Sequence, residues 1–141
     1  MIIVRPAEID EFVDFPYRIY KTSKYWVGGL KRDIKKLISP THPFWKKAEG
    51  HFFVAEDDGV IKGRIAGIIN HAHNEFWNER VCFFGFFDCV NDTEVAKKLF
   101  ERVEDFARKK NCFIVRGPAN PSSNYTWGLL VENFDDPNCI M

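Results

Sequence analysis

Polar side chains able to bind a ligand cluster between residues 113 and 134, which read FIVRGPANPSSNYTWGLLVENF. Arg116 can bind a carboxylate or a phosphate through two parallel hydrogen bonds. Asn120 and Asn124 each offer a donor and an acceptor. A strand is predicted just before this loop, and loops that follow buried strands are frequent ligand sites in α/β proteins. We therefore predict substrate-binding roles for these three side chains.

The same loop has a second interpretation, in which its polar residues only organise the loop. Asn and Ser side chains often bond to their own backbone in turns, and Pro118 and Pro121 stiffen the chain. In either case Trp127, Leu129 and Leu130 are expected to anchor the loop to the core. The sequence leaves both interpretations open.

A second polar segment, HAHNEFWNER at 71–80, contains His71, His73 and Glu75 at alternate positions. On an extended chain these three side chains would share a face and could bind a transition metal. On a turn they need not share one. The polar composition favours a turn between two strands, and we expect no metal.

The basic residues are unevenly distributed along the chain. Nine of them and one acid, Asp33, lie between Arg18 and Lys47, with Tyr25, Trp26 and Trp45 interleaved. Such a patch could attract an anionic substrate or nucleic acid. The solvated face of a helix explains it more simply, and no nucleic-acid partner is expected.

Composition limits the class of protein. The 141 residues predict one domain, and 45% hydrophobic residues with 14 Phe suffice for a sizeable core. Twenty basic and twenty acidic residues give no global attraction to nucleic acid or membrane. Neutrality with many aromatic residues favours self-association. No apolar run approaches a membrane span, and the four cysteines form no C-x-x-C pair, so a cytoplasmic location is expected.

The hydrophobic periodicity predicts the first elements of the fold. A strand is expected at 2–4, followed by helices at 8–20 and 30–38. Pro16 should kink the first helix or split it in two. Strands at 51–56 and 60–70 flank Asp57-Asp58-Gly59, which is a hairpin turn signal.

The second half of the chain predicts a parallel strand pair. The strand at 81–90 is apolar on both faces and so belongs inside a covered sheet. One face is expected to carry Cys82, Phe84 and Phe86, and the other Phe83, Phe87 and Cys89. A helix at 92–110, capped by Asn91 with Glu94, connects this strand to a last one at 112–116. That crossover predicts parallel strands in a mixed α/β sheet with helices on both faces.

Five segments resemble a family of mostly uncharacterised proteins with the GNAT (acyl-CoA N-acyltransferase) fold. They are FPYRIYKTSKYWV at 15–27, HPFWKKAEGHFFVAEDDG at 42–59, GRIAGIINHAHNEF at 63–76, FFGFFDCVNDTEVAKKLF at 83–100 and RGPANPSSNYTWGLLVENFDDP at 116–137. The resemblance covers nearly the whole chain. It implies a single GNAT-like domain that lacks the final helix and strand of the family.

The resemblance implies transfer of an acyl group from acetyl-CoA or another acyl-CoA to an amine. Such a reaction requires a group that removes a proton from the amine. Asp88, late on the doubly buried strand and beside the point where the parallel strands diverge, is the predicted catalytic base. The alternative is that Asp88 only bonds a nearby loop N–H.

In typical acetyltransferases of this fold, a glycine-rich turn binds the CoA pyrophosphate through backbone N–H groups. The corresponding turn here has no glycine, and the residues predicted to contact the cofactor are Cys89, Val90, Asn91 and Thr93. Asp92 and Glu94 would repel a phosphate by roughly 1–4 kcal/mol at contact distance. The alternative is a helix capped by its own acidic residues.

These observations leave two hypotheses for the function. The first is an N-acyltransferase in which backbone N–H groups near residues 88–94 polarise the thioester carbonyl. The second is a non-catalytic binding or assembly module with a degenerate acyltransferase fold. Its open sheet edge at 112–116 would pair with a second copy or with a complementing chain. We expect a homodimer in that case.

Overall fold

The computed structural model describes residues 1–137, so Cys139 lies outside the described residues. One five-stranded sheet has the order β1-β2-β3-β4-β5, and two short strands, β6 and β7, pair separately. The strands are β1 (Ile2–Pro6), β2 (Ala48–Asp57), β3 (Val60–Asn70), β4 (Val81–Cys89), β5 (Ile114–Arg116), β6 (Ala119–Asn120) and β7 (Thr126–Trp127). The helices are α1 (Ile9–Ile19), α2 (Lys31–Ile38), a 3-10 helix (Pro43–Lys47), α3 (His71–Trp77) and α4 (Thr93–Lys109).

The sheet is mixed, as predicted. Strands β1 to β4 are antiparallel neighbours, and β5 pairs with β4 in parallel after the α4 crossover. The β4–β5 pairing covers only three residues and ends where Phe83 faces Arg116. The rest of β4 therefore continues without β5 beside it. Strand β5 forms the edge of the sheet. It is not a buried strand, since Ile114 is 46% exposed and Phe113, the residue before it, is 76% exposed.

Helices cover both faces of the sheet. Helix α4 packs Val95, Leu99 and Val103 on one face, against a cluster that includes Ile65 and Cys82. We call this the α4 face. On the opposite α1 face, helices α1 and α2 pack on a second cluster, which includes Phe12, Val13, Ile38, Val54 and Phe83. Among residues 1–137, no helix combines the length and the apolar composition that crossing a membrane requires.

Strand β4 contains a bulge that changes which side chains face which helix. Gly85 is opposite Ala66 and Asp88 is opposite Arg64, so β4 has one residue more than β3 in this interval. Phe86 takes a left-handed backbone conformation, with φ of 51°. Phe86 consequently joins Phe83 on the α1 face, and Phe87 joins Cys82 and Phe84 on the α4 face. Cys89 also packs on the α4 face, so the predicted assignment of Phe86, Phe87 and Cys89 to faces was wrong.

Helix α1 stays continuous through Pro16, so of the two predicted outcomes, a kink or a split, the split does not occur. A proline inside a helix leaves the carbonyl four residues earlier without its N–H partner. That carbonyl belongs to Phe12, and it accepts a hydrogen bond of 2.7 Å from Arg64 Nη1. A buried side chain from β3 thus replaces the missing backbone donor.

Three other predictions need correction. Residues 71–77 form helix α3 and not a turn, because Asn70 caps its start and Asn78 ends it in a left-handed conformation. Helix α4 is capped by Asp92 and not by Asn91. Leu30, predicted to begin the second helix at 30–38, precedes α2 and is 65% exposed.

Candidate functional site

Asp88 is part of a buried polar cluster at the carboxyl end of β4. Its Oδ2 accepts a hydrogen bond of 2.9 Å from Arg64 Nε and forms an ion pair with Nη2, 2.8 Å away. Its Oδ1 accepts a hydrogen bond of 2.8 Å from the Tyr20 hydroxyl at the end of α1. Among residues 1–137, Asp88 therefore bonds two side chains, and it does not bond the loop N–H of the alternative interpretation. Its role as a base stays a prediction.

Arg64 is the centre of this cluster. It is only 6% exposed, and its guanidinium lies 4.9 Å from the ring centre of Phe12. Burial lowers the pKa of Arg64, while Asp88 opposes that shift by favouring the charged form. Burial also raises the pKa of Tyr20, and the neighbouring carboxylate of Asp88 raises it further. The Tyr20 hydroxyl therefore keeps its proton at neutral pH.

Sequence reasoning did not identify Arg64 or Tyr20. Arg64 could have been found, because it interrupts the apolar run of β3, and a charged residue there must have a partner. Tyr20 carried no such signal, since it lies 68 residues from Asp88 in the chain.

The turn between β4 and α4 contains the residues predicted to contact a cofactor. Asp92 Oδ1 accepts hydrogen bonds from the N–H groups of Glu94, at 2.9 Å, and of Val95, at 3.4 Å. The carboxylate thereby occupies the donors that an anion at this helix start would use. A CoA pyrophosphate does not fit this turn while Asp92 holds its cap.

The other residues of this turn are less tightly engaged. The Val90 N–H is bonded to the Lys62 carbonyl at 2.9 Å. Within residues 1–137, the N–H groups of Asn91 and Thr93 have no hydrogen-bond partner. Burial raises the pKa of the Cys89 thiol, and the carboxylates of Asp88 and Asp92 add to the shift. A nucleophilic thiolate at Cys89 is therefore disfavoured.

Asn120 has a structural contact in this fold. Its Oδ1 accepts a hydrogen bond of 2.6 Å from the N–H of Phe86, the residue at the β4 bulge. The loop approaches β4 so closely that a Cβ on Gly85 would lie 1.8 Å from the Ala119 carbonyl oxygen. The loop that follows β5 thus lies against the part of β4 that β5 leaves unpaired.

Arg116 and Asn124 lie in different surroundings. Arg116 donates to both carboxylate oxygens of Glu79, at 3.1 and 3.2 Å. Glu79 also lies 2.9 Å from Nε2 of His73 on α3. Asn124 is exposed, and its N–H bonds to the Ser122 hydroxyl at 3.3 Å. The structure therefore does not group the three predicted substrate contacts around one point.

The anchoring prediction for the loop holds only for Trp127. Its ring packs against Phe83, with ring centres 5.8 Å apart, although 47% of the residue is exposed. Leu129 and Leu130 are 65% and 61% exposed and do not anchor the loop to the core.

The alternating histidines do not share one ligand. His71 Nε2 lies 3.2 Å from Glu49 on β2, whereas His73 contacts Glu79. Residues two apart on a helix point in different directions, which explains the separation. Among residues 1–137, no group of three or more His, Cys, Asp or Glu side chains is arranged to hold a metal ion.

Solved structures with the same architecture are GNAT acetyltransferases. A predicted acetyltransferase from Clostridium acetobutylicum, solved with acetyl-CoA, matches 82% of this chain and 79% of its own with a TM-score of 0.56 and 12% identity. A GNAT-family acetyltransferase from Staphylococcus aureus matches 85% of this chain and 74% of its own, with a TM-score of 0.56 and 17% identity. The chain therefore has a GNAT-like fold.

Two curated proteins are similar in sequence. Bacterial ceramide synthase from Caulobacter vibrioides is 31% identical over 138 residues, which cover 96% of this chain and 36% of that protein. Protein YghO from Escherichia coli K12 is 28% identical over 134 residues, which cover 95% of this chain and 34% of that protein. The chain thus spans about a third of the length of these relatives. No family model matches it.

Proposed function

We propose that the chain is an N-acyltransferase unit of the GNAT class, which moves an acyl group from an acyl-CoA to an amine. The observation that carries the proposal is the divergence of β4 and β5 after Phe83 in a fold shared with acetyltransferases. The similarity to a protein named bacterial ceramide synthase supports it, because a ceramide is an amide, the product of acyl transfer to an amine.

The chain's own residues suit parts of this chemistry. Asp88 remains the candidate base, and the Tyr20 hydroxyl donates a hydrogen bond to its carboxylate. The N–H groups of Asn91 and Thr93 could donate to a carbonyl oxygen that gains negative charge. Any CoA phosphate at the β4–α4 turn must compete with Asp92 for the N–H groups of Glu94 and Val95.

The first test is a calorimetric titration of the chain with acetyl-CoA, with free CoA as the control. The variant Asp92→Ser keeps a capping oxygen but removes the negative charge. We expect it to bind acetyl-CoA at least about fivefold more tightly, since the removed repulsion is roughly 1–4 kcal/mol. Asp105→Ser, which removes an exposed acid near the other end of α4, should leave the affinity unchanged.

Absence of acetyl-CoA binding in both the natural chain and Asp92→Ser would sink the acyl-CoA proposal. The second candidate function, an assembly module, would then gain support. It is favoured by the position of β5 at the end of the sheet, where Phe113 and Ile114 expose apolar side chains beside an edge strand. Light scattering on the same samples would show a stable homodimer, or a complex with a complementing chain, that ignores acetyl-CoA.

A further inference from the structure

A cavity of about 190 Å³ lies on the α1 face, beside the point where β5 ends. We call it the Arg116 pocket. Phe83 and Pro121 contribute apolar surface to it. Its polar and aromatic lining comes from Asn70, His73, Arg116, Ser122, Ser123 and Trp127. Strands β3, β4 and β5, helix α3 and the loop after β5 all contribute to it, so the pocket exists only in the folded chain.

Arg116 is held in this pocket with part of its guanidinium unused. Glu79 takes one N–H from each of Nη1 and Nη2, which is an end-on arrangement. The remaining three N–H groups, including the one on Nε, have no hydrogen-bond partner within residues 1–137. The side chain is 41% exposed, so a ligand can reach it. Glu79 restricts the guanidinium, which lowers the entropic cost of binding a ligand.

Arg5 shows how the N–H groups that Arg116 leaves unused, on Nε and Nη2, can bind a second carboxylate. Arg5 binds Glu11 through Nη1 and Nη2 and binds Glu56 through Nε and Nη2. Its remaining N–H bonds to the Pro6 carbonyl. Arg5 therefore carries two carboxylates, one end-on and one side-on. Arg116, which lines the pocket, has the end-on carboxylate only, and its side-on edge has no partner among residues 1–137.

The other polar groups of the pocket are mostly donors. The Asn70 side-chain oxygen already accepts from the His73 N–H, which leaves its NH₂ group as a donor. The Trp127 indole can only donate, and the hydroxyls of Ser122 and Ser123 can do so. Two aromatic rings of the lining, Phe83 and Trp127, pack against each other edge to face. A pocket rich in donors around a guanidinium suits an oxyanion.

We propose that the Arg116 pocket binds an anionic oxygen group, a carboxylate or a phosphate, which fills the free side-on edge of Arg116 as Glu56 fills that of Arg5. The size of the pocket suits a small group and not a whole cofactor. If the acyl transfer proposed above takes place, this group belongs to the amine acceptor, and that last step rests on the proposed function.

The experiment uses the indole N–H of Trp127 as the reporter in ¹H–¹⁵N spectra of the full chain. Sodium acetate and sodium phosphate are titrated separately, with chloride added to keep the ionic strength constant. We expect a saturable shift of the Trp127 signal, while the indole signals of Trp26, Trp45 and Trp77 stay in place. The anion that produces the shift distinguishes a carboxylate from a phosphate.

Three variants test the role of Arg116. Arg116→Gln should weaken anion binding about 10- to 100-fold, the range of a charge-assisted hydrogen-bonded pair. Arg116→Lys keeps the charge beside Glu79 but has no side-on edge, so it should also weaken binding, with the fold preserved. Arg108→Gln, which removes an exposed arginine with acidic partners on α4, should have no effect.

The proposal is overturned if neither anion gives a saturable shift, or if Arg116→Gln and Arg116→Lys bind as tightly as the natural chain. The spectra also show whether each variant is folded. Acetyl-CoA titration is a separate measurement, so failure of the proposed acyl transfer and failure of the Arg116 pocket are distinguishable.

Discussion

The chain has two arginine–carboxylate clusters in contrasting surroundings. In the buried cluster, Arg64 binds Asp88 and the Phe12 carbonyl, and it is 6% exposed. In the open cluster, Arg116 binds Glu79 at the edge of a cavity and is 41% exposed. The buried arginine replaces a backbone donor lost at Pro16, whereas the open arginine keeps unused donors. The comparison indicates that the first cluster mainly supports the fold and the second is available to a ligand.

The largest expected effect is on the buried cluster. Asp88→Asn leaves the Arg64 charge buried without its counter-charge, and breaking a buried ion pair in this way costs about 3–5 kcal/mol. We expect a loss of unfolding free energy in that range, measured by urea denaturation. If Asp88 is also the base, the variant loses turnover as well.

Glu79→Gln is the matched control for Asp88→Asn, because it makes the same chemical change in the open cluster. Its effect on urea denaturation should be several times smaller, since exposed ion pairs contribute little. Equal losses of stability in the two variants would contradict the distinction between a buried and an open cluster.

Tyr20→Phe should have an intermediate effect. The variant removes one hydrogen bond to the Asp88 carboxylate while leaving the Arg64–Asp88 pair in place. A hydrogen bond to a charged group contributes about 1.5–3 kcal/mol when buried, and the half-buried Tyr20 should contribute about 1 kcal/mol. Thermal unfolding measures this loss. A loss as large as that of Asp88→Asn would mean that Tyr20 is needed to hold the carboxylate at all.

The smallest effect concerns the pH dependence of the open cluster. Hydrogen bonds from Arg116 and His73 lower the pKa of Glu79 from its ordinary value of 4.5. The folded state therefore binds this proton less readily than the unfolded state, and Glu79 stabilises the fold above pH 4.5. This contribution is lost as the pH falls through the lowered pKa of the folded state.

We accordingly expect Glu79→Gln to be less stable than the natural chain at neutral pH, and the difference to vanish in acid. Denaturation curves at a series of pH values measure this convergence. Glu75→Gln, four residues before Glu79 but without an ion pair among the described residues, should show no such dependence. A constant difference between Glu79→Gln and the natural chain at all pH values would exclude the titration of Glu79 as its cause.

Much of the architecture could be predicted from local patterns. The hairpin at Asp57-Asp58-Gly59, the amphipathic helix α4 and the parallel crossover are confirmed by the structure. These features depend on hydrophobic spacing and turn residues within a few positions of each other. At α3, where prediction failed, a capping side chain decided the outcome, and at Pro16 a distant arginine replaces the backbone donor that the helix lacks.

The candidate site was less accessible from the sequence. Asp92 could be predicted to oppose a phosphate, because a helix start and its acidic residues are adjacent in the chain. The partners of Asp88 and Arg116 could not, because Tyr20 and Glu79 lie 68 and 37 residues away from them in sequence. No periodicity relates such residues.

The sequence by itself determined the order of strands β1 to β5 with helices α1, α2 and α4, the GNAT-like fold and the acidic residues at the start of α4, because each depends on local spacing or on motifs read along the chain. Only the tertiary structure decided that Arg64 donates to the Phe12 carbonyl of α1 and that the β4 bulge turns Phe86 to the α1 face. It also decided that three N–H groups of Arg116 stay without a partner among the described residues. The physical reason is that hydrogen bonds and ion pairs depend on distance in space, and residues far apart in the chain meet only after folding.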